Sequence, residues 1–262
     1  MSLITVDPNL CNRDGLCIQA CPANVLQSGV EHLPEVVVGA ADRCIRCGHC
    51  VAVCHEGALT HAQLPAESFM LVPSRQPDAE EVENLLLSRR SVRGFKRQPV
   101  PREQLERLVE TARRAPTASN TQNVSWVMIL DPARLDRIRE LTLEWLAGNA
   151  KGAHHVEAAK AGRDVVLRGG TVLAVAYGPT KYGWTDVDSA IALTYMEILA
   201  SSMGLGACWG GLVTMAARSV AELSEVLGVP EGNRMAGALM LGQPRQHHFL
   251  IPPRNPAQVE WL

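Results

Sequence analysis

The feature that most constrains this chain is a cysteine pattern that occurs twice near its N-terminus. Seven of the eight cysteines lie between Cys11 and Cys54. At an offset of 33 residues the sequence aligns with itself, and the matching pairs are Cys11 with Cys44, Asp14 with Cys47, Cys17 with Cys50, and Cys21 with Cys54. Short apolar segments precede both copies (LITV and EVVV) and follow both copies (ANVL and EGAL). The repeat therefore predicts two copies of a strand, a cysteine loop and a short helix.

The crowding of the cysteines favours a metal centre over a disulfide scaffold. Eight cysteines permit four disulfides, but only Cys208 lies outside the short N-terminal segment, and clustered thiols in a reducing compartment more often bind metal. A zinc ribbon is a further alternative, because paired CxxC motifs also make tetrahedral zinc sites. The spacing of the cysteines within each run, with Pro22 directly after Cys21, argues against zinc.

Residues 1–62 resemble the bacterial two-cluster [4Fe-4S] ferredoxins. The second copy, CIRCGHCVAVC, is complete, whereas the first, CNRDGLCIQACP, has Asp14 where a cysteine is expected, and His55 replaces the usual proline. In these ferredoxins the last cysteine of each run ligates the other cluster. The resemblance thus implies two ligand sets, which are Cys44, Cys47 and Cys50 with Cys21, and Cys11, Asp14 and Cys17 with Cys54.

Asp14 leaves three alternatives for the first cluster. A carboxylate oxygen binds iron but is a harder ligand than thiolate, so Asp14 could complete a 4Fe-4S cluster or leave a 3Fe-4S cluster with a vacant corner. The third alternative is a lost cluster, which the retained thiols of Cys11, Cys17 and Cys54 argue against, since they would be open to oxidation without a role. We favour the Asp14-ligated 4Fe-4S cluster.

A proline-rich segment separates this region from the rest of the chain. Residues 63–78 contain Pro65, Pro73 and Pro77, which is typical of an extended linker. Asp78 then predicts a helix N-cap, with Glu81 three residues on as its capping-box partner. We therefore predict a second domain over residues 79–262.

The second domain opens with a cluster of cations in SRRSVRGFKR. Such a run is either a solvated surface or a phosphate clamp, because guanidinium groups pair with phosphate oxygens. Further motifs follow in the order APTASNTQ, SAIALTYMEILASSMGLGACWGG, MAGALMLGQPRQ and IPPRNPAQVEWL. Together with SRRSVRGF they resemble the nitroreductase family of FMN enzymes over residues 79–262, and the tail is similar to that of ferredoxin-fused members.

The resemblance implies specific FMN contacts in this chain. Arg89, Arg90 and Ser91 would hold the phosphate and ribityl chain, and Arg93 would lie near the pyrimidine edge of the flavin. The remaining implied contacts are the polar groups of Ser119, Asn120 and Gln122, the backbone amides of Gly210 and Gly211 near flavin N5, and Arg254 as a further phosphate partner. The sequence QNVSW departs from the Gln-Pro-Trp that is frequent in the family. No side chain is assigned a catalytic role.

Several other residues attract attention without requiring a functional role. GLGACWGG follows a helical pattern, so Gly204 is better interpreted as a helix stop than as part of a dinucleotide-binding loop. We expect Cys208 to be a buried neighbour of the flavin, not a nucleophile. Tyr182 and Trp184 either line the substrate face or pack, and the pairs His154–His155 and His247–His248 are interpreted as structural or exposed.

The predicted fold class is α+β, with a small two-cluster ferredoxin domain followed by a nitroreductase-like domain whose antiparallel sheet is flanked by helices. The resemblance also implies a homodimer with FMN bound between subunits. We expect an oxidoreductase that draws electrons from a low-potential donor such as ferredoxin through its clusters and reduces an organic acceptor, which is a nitro compound, a quinone or a similar unsaturated molecule. The alternative is an electron-transfer subunit that passes electrons to a partner protein.

Charge and hydropathy exclude some other classes of partner. The net charge of −2 gives no reason to expect nucleic acid. No run of 18 apolar residues occurs, and MSLITVDPNL has neither the basic nor the apolar region of a signal peptide. We therefore expect a cytoplasmic protein without a membrane partner.

Overall fold

The computed structural model describes residues 2–149 and 152–262. The chain divides into two compact units. The first extends to Gln76 and also includes Ser119–Thr121, and the second comprises Pro77–Ala118 and Gln122–Leu262. No helix within the described ranges is both long enough and apolar enough to cross a bilayer.

The first unit is built from short strands and single-turn helices. Its elements are β1 (Ile4–Val6), α1 (Leu16–Gln19), β2 (Leu26–Ser28), β3 (Pro34–Val36), α2 (Ala40–Arg43), α3 (His49–Ala52) and β4 (Leu59–His61). Strand β1 pairs with β4 and β2 pairs with β3, both antiparallel. The internal repeat is visible in the backbone, because α1 and α3 begin at equivalent positions after Gly15 and Gly48, whose φ angles are 72° and 75°. The predicted duplication is therefore confirmed.

The core of the first unit is small and contains cysteines. Ile4, Val25 and Leu59 are almost fully buried, and Cys17, Cys21 and Cys50 are buried in the same cluster. No disulfide joins any two of the eight cysteines. Because so few apolar side chains lie in this core, groups bound by its thiols would contribute to the stability of the unit.

The second unit is a sheet covered by helices on both faces. Its elements are α4 (Ala79–Ser88), α5 (Arg102–Ala112), β5 (Ser125–Ile129), α6 (Pro132–Ala147), α7 (Ala153–Lys160), β6 (Val172–Pro179), α8 (Thr185–Ser202), β7 (Gly206–Trp209), α9 (Gly211–Ala217), α10 (Ala221–Leu227) and β8 (Asn233–Gly242). The strand order is β5-β6-β8-β7 and every pairing is antiparallel. The α+β class with a central antiparallel sheet is confirmed.

Strand β6 separates two hydrophobic cores. Its residues alternate between them, with Leu173 and Val175 on the face covered by α6, α9 and α10, and Ala174 and Ala176 on the face covered by α5 and α8. A strand buried on both faces is apolar throughout, which explains the run VLAVA. Helix α8 contributes Leu193 and Met196 to the second core, and both are fully buried.

Two predicted helix ends are confirmed, and one helix face is unusual. The Asp78 carboxylate accepts from the Glu81 amide at 2.8 Å and Glu81 reciprocates, which completes the capping box of α4. Gly204 has φ 73° directly after the C-cap of α8, so it ends this helix as expected. Helix α4 has no buried residue, and its apolar side chains Val82 and Leu86 are 40% and 49% exposed.

Candidate cofactor sites

Four cysteines of the first unit surround one cavity. Its lining includes Cys21, Cys44, Cys47 and Cys50, which is the set predicted for the complete second motif. Burial, and secondarily the neighbouring sulfurs of Cys21, Cys47 and Cys44, raise the pKa of the Cys50 thiol to about 11. The structure therefore places the last cysteine of the first run with three cysteines of the second.

The predicted set of the first motif, which is Cys11, Asp14, Cys17 and Cys54, is brought together in part. The pKa of Cys17 is raised by burial and then by the nearby sulfurs of Cys11 and Cys54, so these three thiols are neighbours. Asp14 is exposed, and its Oδ1 accepts from the amide of Leu16 at 2.9 Å. In this conformation the carboxylate binds the first backbone amide of α1.

Backbone amides point at three of the sulfurs. Val25 donates to Cys21 Sγ at 3.4 Å, and Ala58 donates to Cys54 Sγ at 3.3 Å in the equivalent position of the repeat. The Arg46 amide donates to Cys44 Sγ at 3.4 Å. Iron–sulfur clusters are usually held by soft cysteine thiolates whose sulfurs accept N–H hydrogen bonds. The cysteines and backbone amides of the first unit therefore fit such clusters. Across the described ranges, no three His, Cys, Asp or Glu side chains are placed to hold a single metal ion.

A histidine lies beside the four thiols of Cys21, Cys44, Cys47 and Cys50, which are called the second thiol set. His61 is 5% exposed, and its Nε2 lies 3.5 Å from Cys44 Sγ. Its Nδ1 accepts from the Gln63 amide at 3.1 Å. Burial, and secondarily the charge of Arg46, lower the pKa of His61. Because Nδ1 accepts from the Gln63 amide, the hydrogen that faces Cys44 Sγ is on Nε2.

In the second unit, Arg89 is anchored by a buried carboxylate. Its Nη1 donates to Glu197 Oε1 at 2.9 Å, and the two side chains are 26% and 8% exposed. Arg90 donates to the carbonyl of Leu87. Ser91 forms a bridge with Ala207 of β7, which fixes the arginine segment against the sheet. A pocket beside it is lined by Arg89, Arg90, Val92, Glu197, His247 and His248.

A larger cationic pocket of about 750 Å³ surrounds Arg93. Its charged and titratable lining residues are Arg93, Arg97, His154, His155, Arg163, Asp164, Arg168 and Arg245. Burial alone would raise the pKa of Asp164, but the amides of Gly169 and Leu167 and the guanidinium of Arg139 outweigh it and hold the pKa below its usual range. Pockets of this size hold cofactor-sized ligands, and the excess of arginines suits an anionic one.

The predicted polar loop is strained and partly engaged elsewhere. Ser119, Asn120 and Gln122 have φ angles of 51°, 53° and 50°, a conformation that costs about 1–3 kcal/mol per residue and is concentrated at functional sites. Asn120 belongs to the first unit, where its amide donates to the carbonyls of Ile45 and Arg46 at 3.0 and 3.1 Å. Ala118, which directly precedes Ser119, donates its amide to the buried carboxylate of Asp188 at 3.0 Å.

The remaining predicted contacts lie in three different environments. The Gly210 amide donates to the Ala238 carbonyl at 2.8 Å, so it is already paired within the sheet region. Gly211 begins α9, and a Cβ added there would meet no atom within 4 Å, which leaves room for a ligand. Arg254 lies in an exposed tail without regular secondary structure.

Cys208 and the two aromatic residues have ordinary environments. Cys208 is buried, as expected, and burial raises the pKa of its thiol. Tyr182 donates its hydroxyl to the Ala118 carbonyl at 3.0 Å, which favours packing over substrate recognition. Trp184 precedes α8 and is 55% exposed.

Sequence profiles of known families match both units. The 4Fe-4S dicluster domain matches residues 3–55 and the Nitroreductase family matches residues 86–243. The chain belongs to the nitroreductase family. Its N-terminal region is a dicluster ferredoxin domain, so the fused architecture predicted from the motifs is confirmed.

Relatives of this nitroreductase-family chain carry the names of redox enzymes. An FMN reductase (NADPH) of Bacillus subtilis is 30% identical over 167 residues, which are 61% of this chain and 64% of that protein. An NADH dehydrogenase of Thermus thermophilus is 27% identical over 62% of this chain and 86% of its own length. The chain thus spans less than two thirds of the first relative.

Solved structures share the fold. A nitroreductase with bound FMN from Desulfitobacterium hafniense has a TM-score of 0.60 and 24% identity, covering 69% of this chain and 97% of that one. A second, from Bacteroides fragilis and also with bound FMN, has a TM-score of 0.59 and 22% identity over 70% and 98%. The two-faced sheet described above is therefore the nitroreductase fold.

Some residues of these sites did not emerge from the sequence. Glu197 is a lone carboxylate in the apolar helix sequence SAIALTYMEILASS, and that isolation is a usable signal for a buried ion pair. His61 stands at an inward position of β4, which has a buried-exposed-buried pattern. Arg163 and Arg168 carry no sequence signal beyond their charge.

Proposed function

We propose that this nitroreductase-family protein is an FMN-dependent oxidoreductase that takes electrons through its own iron–sulfur clusters. It reduces an organic acceptor, such as a nitro compound or a quinone. The observation that carries the proposal is that one chain holds two sets of neighbouring thiols and two arginine-lined pockets that share Gln246, one beside Arg89 and Arg90 and a larger one of cofactor size beside Arg93. The FMN named for two structures with this fold, and the reductase names of the relatives, support the same assignment.

The arginines of the second unit suit a phosphorylated flavin. FMN supplies chemistry in which electrons arrive singly and leave as a pair, while iron–sulfur clusters pass one electron at a time. Arg89, Arg90 and Ser91 would bind the phosphate, and Arg93 would face the ring. Because Glu197 already holds Arg89, little side-chain entropy remains to be lost when the guanidinium binds an anion.

The thiols of the first unit suit electron uptake from a low-potential donor such as ferredoxin. Cys21, Cys44, Cys47 and Cys50 would hold the second cluster, and Cys11, Cys17 and Cys54 with Asp14 the first. Asp14 has one carboxylate oxygen on the Leu16 amide and a second oxygen available for iron. A carboxylate ligand holds iron less firmly than thiolate, so this cluster would lose its corner iron first.

We also infer a homodimer. Helix α4 exposes Val82, Leu86 and Leu87, and the tail exposes Phe249 and Trp261 by 94% and 92%. Apolar surface of this extent is typical of protein interfaces. Sedimentation at micromolar concentration should give the mass of two chains, and the mass of one chain would contradict this inference.

Flavin retention tests the assignment of the second unit. Replacing Arg89 and Arg90 together by Ala should give folded protein that has lost most of its FMN, because charge-assisted bonds to phosphate contribute about 1.5–3 kcal/mol each. Arg113→Ala with Arg114→Ala is the matched control, since among the described residues the ion-pair partner of both arginines is exposed Glu110 on α5. Wild-type flavin content in the Arg89 and Arg90 variant would contradict the assignment.

An acceptor screen tests the reaction. Purified protein with reduced ferredoxin, NADH or NADPH as donor is offered nitroaromatics and quinones under anaerobic conditions. Steady turnover of a small acceptor supports the enzyme. Reoxidation of the reduced flavin only after a partner protein is added would support an electron-transfer subunit instead.

A further inference from the structure

The histidine beside the second thiol set has a defined donor direction. His61 Nδ1 accepts from the Gln63 amide, and a nitrogen that accepts carries no proton. The ring hydrogen is therefore on Nε2. Nε2 lies 3.5 Å from Cys44 Sγ, so the N–H points at a sulfur that the Arg46 amide also approaches.

We infer that His61 sets the reduction potential of the cluster held by Cys21, Cys44, Cys47 and Cys50, by donating Nε2–H to the sulfur of Cys44. The inference rests on the proposed cluster binding and adds a residue that tunes it. On reduction the cluster gains one electron from the donor, no bond forms or breaks, and the proton stays on Nε2. The added negative charge spreads onto the thiolates. A donor to one of them therefore stabilises the reduced state more than the oxidised state and raises the potential.

The repeat makes this donor specific to one cluster. At the offset of 33 residues the counterpart of His61 is Ser28, an exposed residue in β2. The backbone donors, by contrast, are duplicated, since Val25 and Ala58 occupy equivalent positions. His61 would therefore make the reduction potentials of the two clusters differ, although their sulfurs accept equivalent backbone hydrogen bonds. The potential of the first cluster, which lacks this donor, serves as the internal reference in an experiment.

Burial makes the contact effective. His61 is 5% exposed and lines the cavity of the four thiols, where the low dielectric strengthens a hydrogen bond to a charged sulfur. Its ring position is fixed from the other side by the Gln63 amide. A side chain held at both ends keeps its donor direction in both redox states.

Redox titration of the anaerobic full-length protein, followed by electron paramagnetic resonance, tests the inference. His61→Phe keeps an aromatic ring of similar shape and removes the donor. The potential of the second cluster should fall, changing its oxidised-to-reduced ratio at a fixed potential about tenfold, which is about 59 mV for one electron. The potential of the first cluster should not change. His61→Gln retains an amide donor at the same reach and should restore the wild-type value.

Iron analysis separates the possible failures. Wild-type protein without iron would overturn the proposed cluster binding itself. Full iron content in His61→Phe with an unchanged second potential would overturn only the role of His61. If the Phe ring does not fit, His61→Leu replaces it. Loss of the second cluster in Phe, Leu and Gln variants alike would overturn the tuning role and assign His61 to structure.

Discussion

Replacing Glu197 by Met should destabilise the second unit and weaken FMN binding together. Glu197 is 8% exposed and holds Arg89 at 2.9 Å. Met has a similar volume and no charge, so Glu197→Met would leave the Arg89 guanidinium without its carboxylate partner in a largely buried site. Breaking a buried ion pair by removing one partner costs about 3–5 kcal/mol. Arg89 retains 26% exposure and can partly rehydrate, so we expect a loss of about 2–3 kcal/mol.

The assay can be confined to the unit in question. All five tryptophans lie after residue 122, so their fluorescence during urea unfolding reports the second unit. FMN affinity is measured separately by flavin titration, where the disordered Arg89 side chain should weaken binding about tenfold, equivalent to about 1.4 kcal/mol.

The control is the same substitution at an exposed ion pair of similar length. Glu106 accepts from Arg102 at 2.8 Å, and the two side chains are 62% and 79% exposed. Glu106→Met should change the free energy of unfolding by less than about 1 kcal/mol. The double variant Arg89→Met with Glu197→Met should recover most of the stability but not the flavin. If Glu197→Met is as stable as Glu106→Met, the buried pair of Arg89 and Glu197 stabilises the second unit no more than an exposed pair does.

Two further predictions concern single carboxylates. Asp164→Asn should lower the free energy of unfolding by about 2 kcal/mol at pH 7, because it weakens charge-assisted bonds to the Leu167 and Gly169 amides. Since folding lowers the pKa of Asp164, this stabilisation is complete above the unfolded pKa and lost as the pH falls through the folded pKa. The deficit of the variant should therefore shrink in acid, and a deficit that is constant with pH would count against this explanation. Asp14→Cys should give a first cluster that resists air, whereas wild-type protein should develop a 3Fe signal in electron paramagnetic resonance; equal signals in both would exclude Asp14 as a working ligand.

Local spacing explains what the sequence could predict. The cysteine runs place their own helices, so α1 and α3 and their glycine starts follow from the repeat. The capping box at Asp78 and the stop at Gly204 are likewise determined within a few residues. Features that depend on distant packing could not be predicted. Arg89 and Glu197 are separated by 108 positions, and no local pattern reports that they meet.

Within the candidate sites, too, local sequence predicted some features, whereas others depend on distant packing. The sequence predicted the Gly210 amide as a flavin contact, but whether that amide is already paired depends on β8, which supplies the Ala238 carbonyl. It assigned Asn120 to the flavin edge, whereas its amide binds the carbonyls of Ile45 and Arg46. Residue type indicates what a side chain can do, and tertiary packing decides which partner it has.

The most direct test of the central claim is rapid mixing of the oxidised anaerobic protein with reduced ferredoxin. Samples frozen at successive times are examined by electron paramagnetic resonance for reduced clusters and by absorption for the flavin. We predict that the cluster signals appear first and then decline while the flavin absorption is lost. Loss of the flavin absorption without a preceding cluster signal, at a rate that Cys50→Ser leaves unchanged, would contradict electron transfer through the clusters.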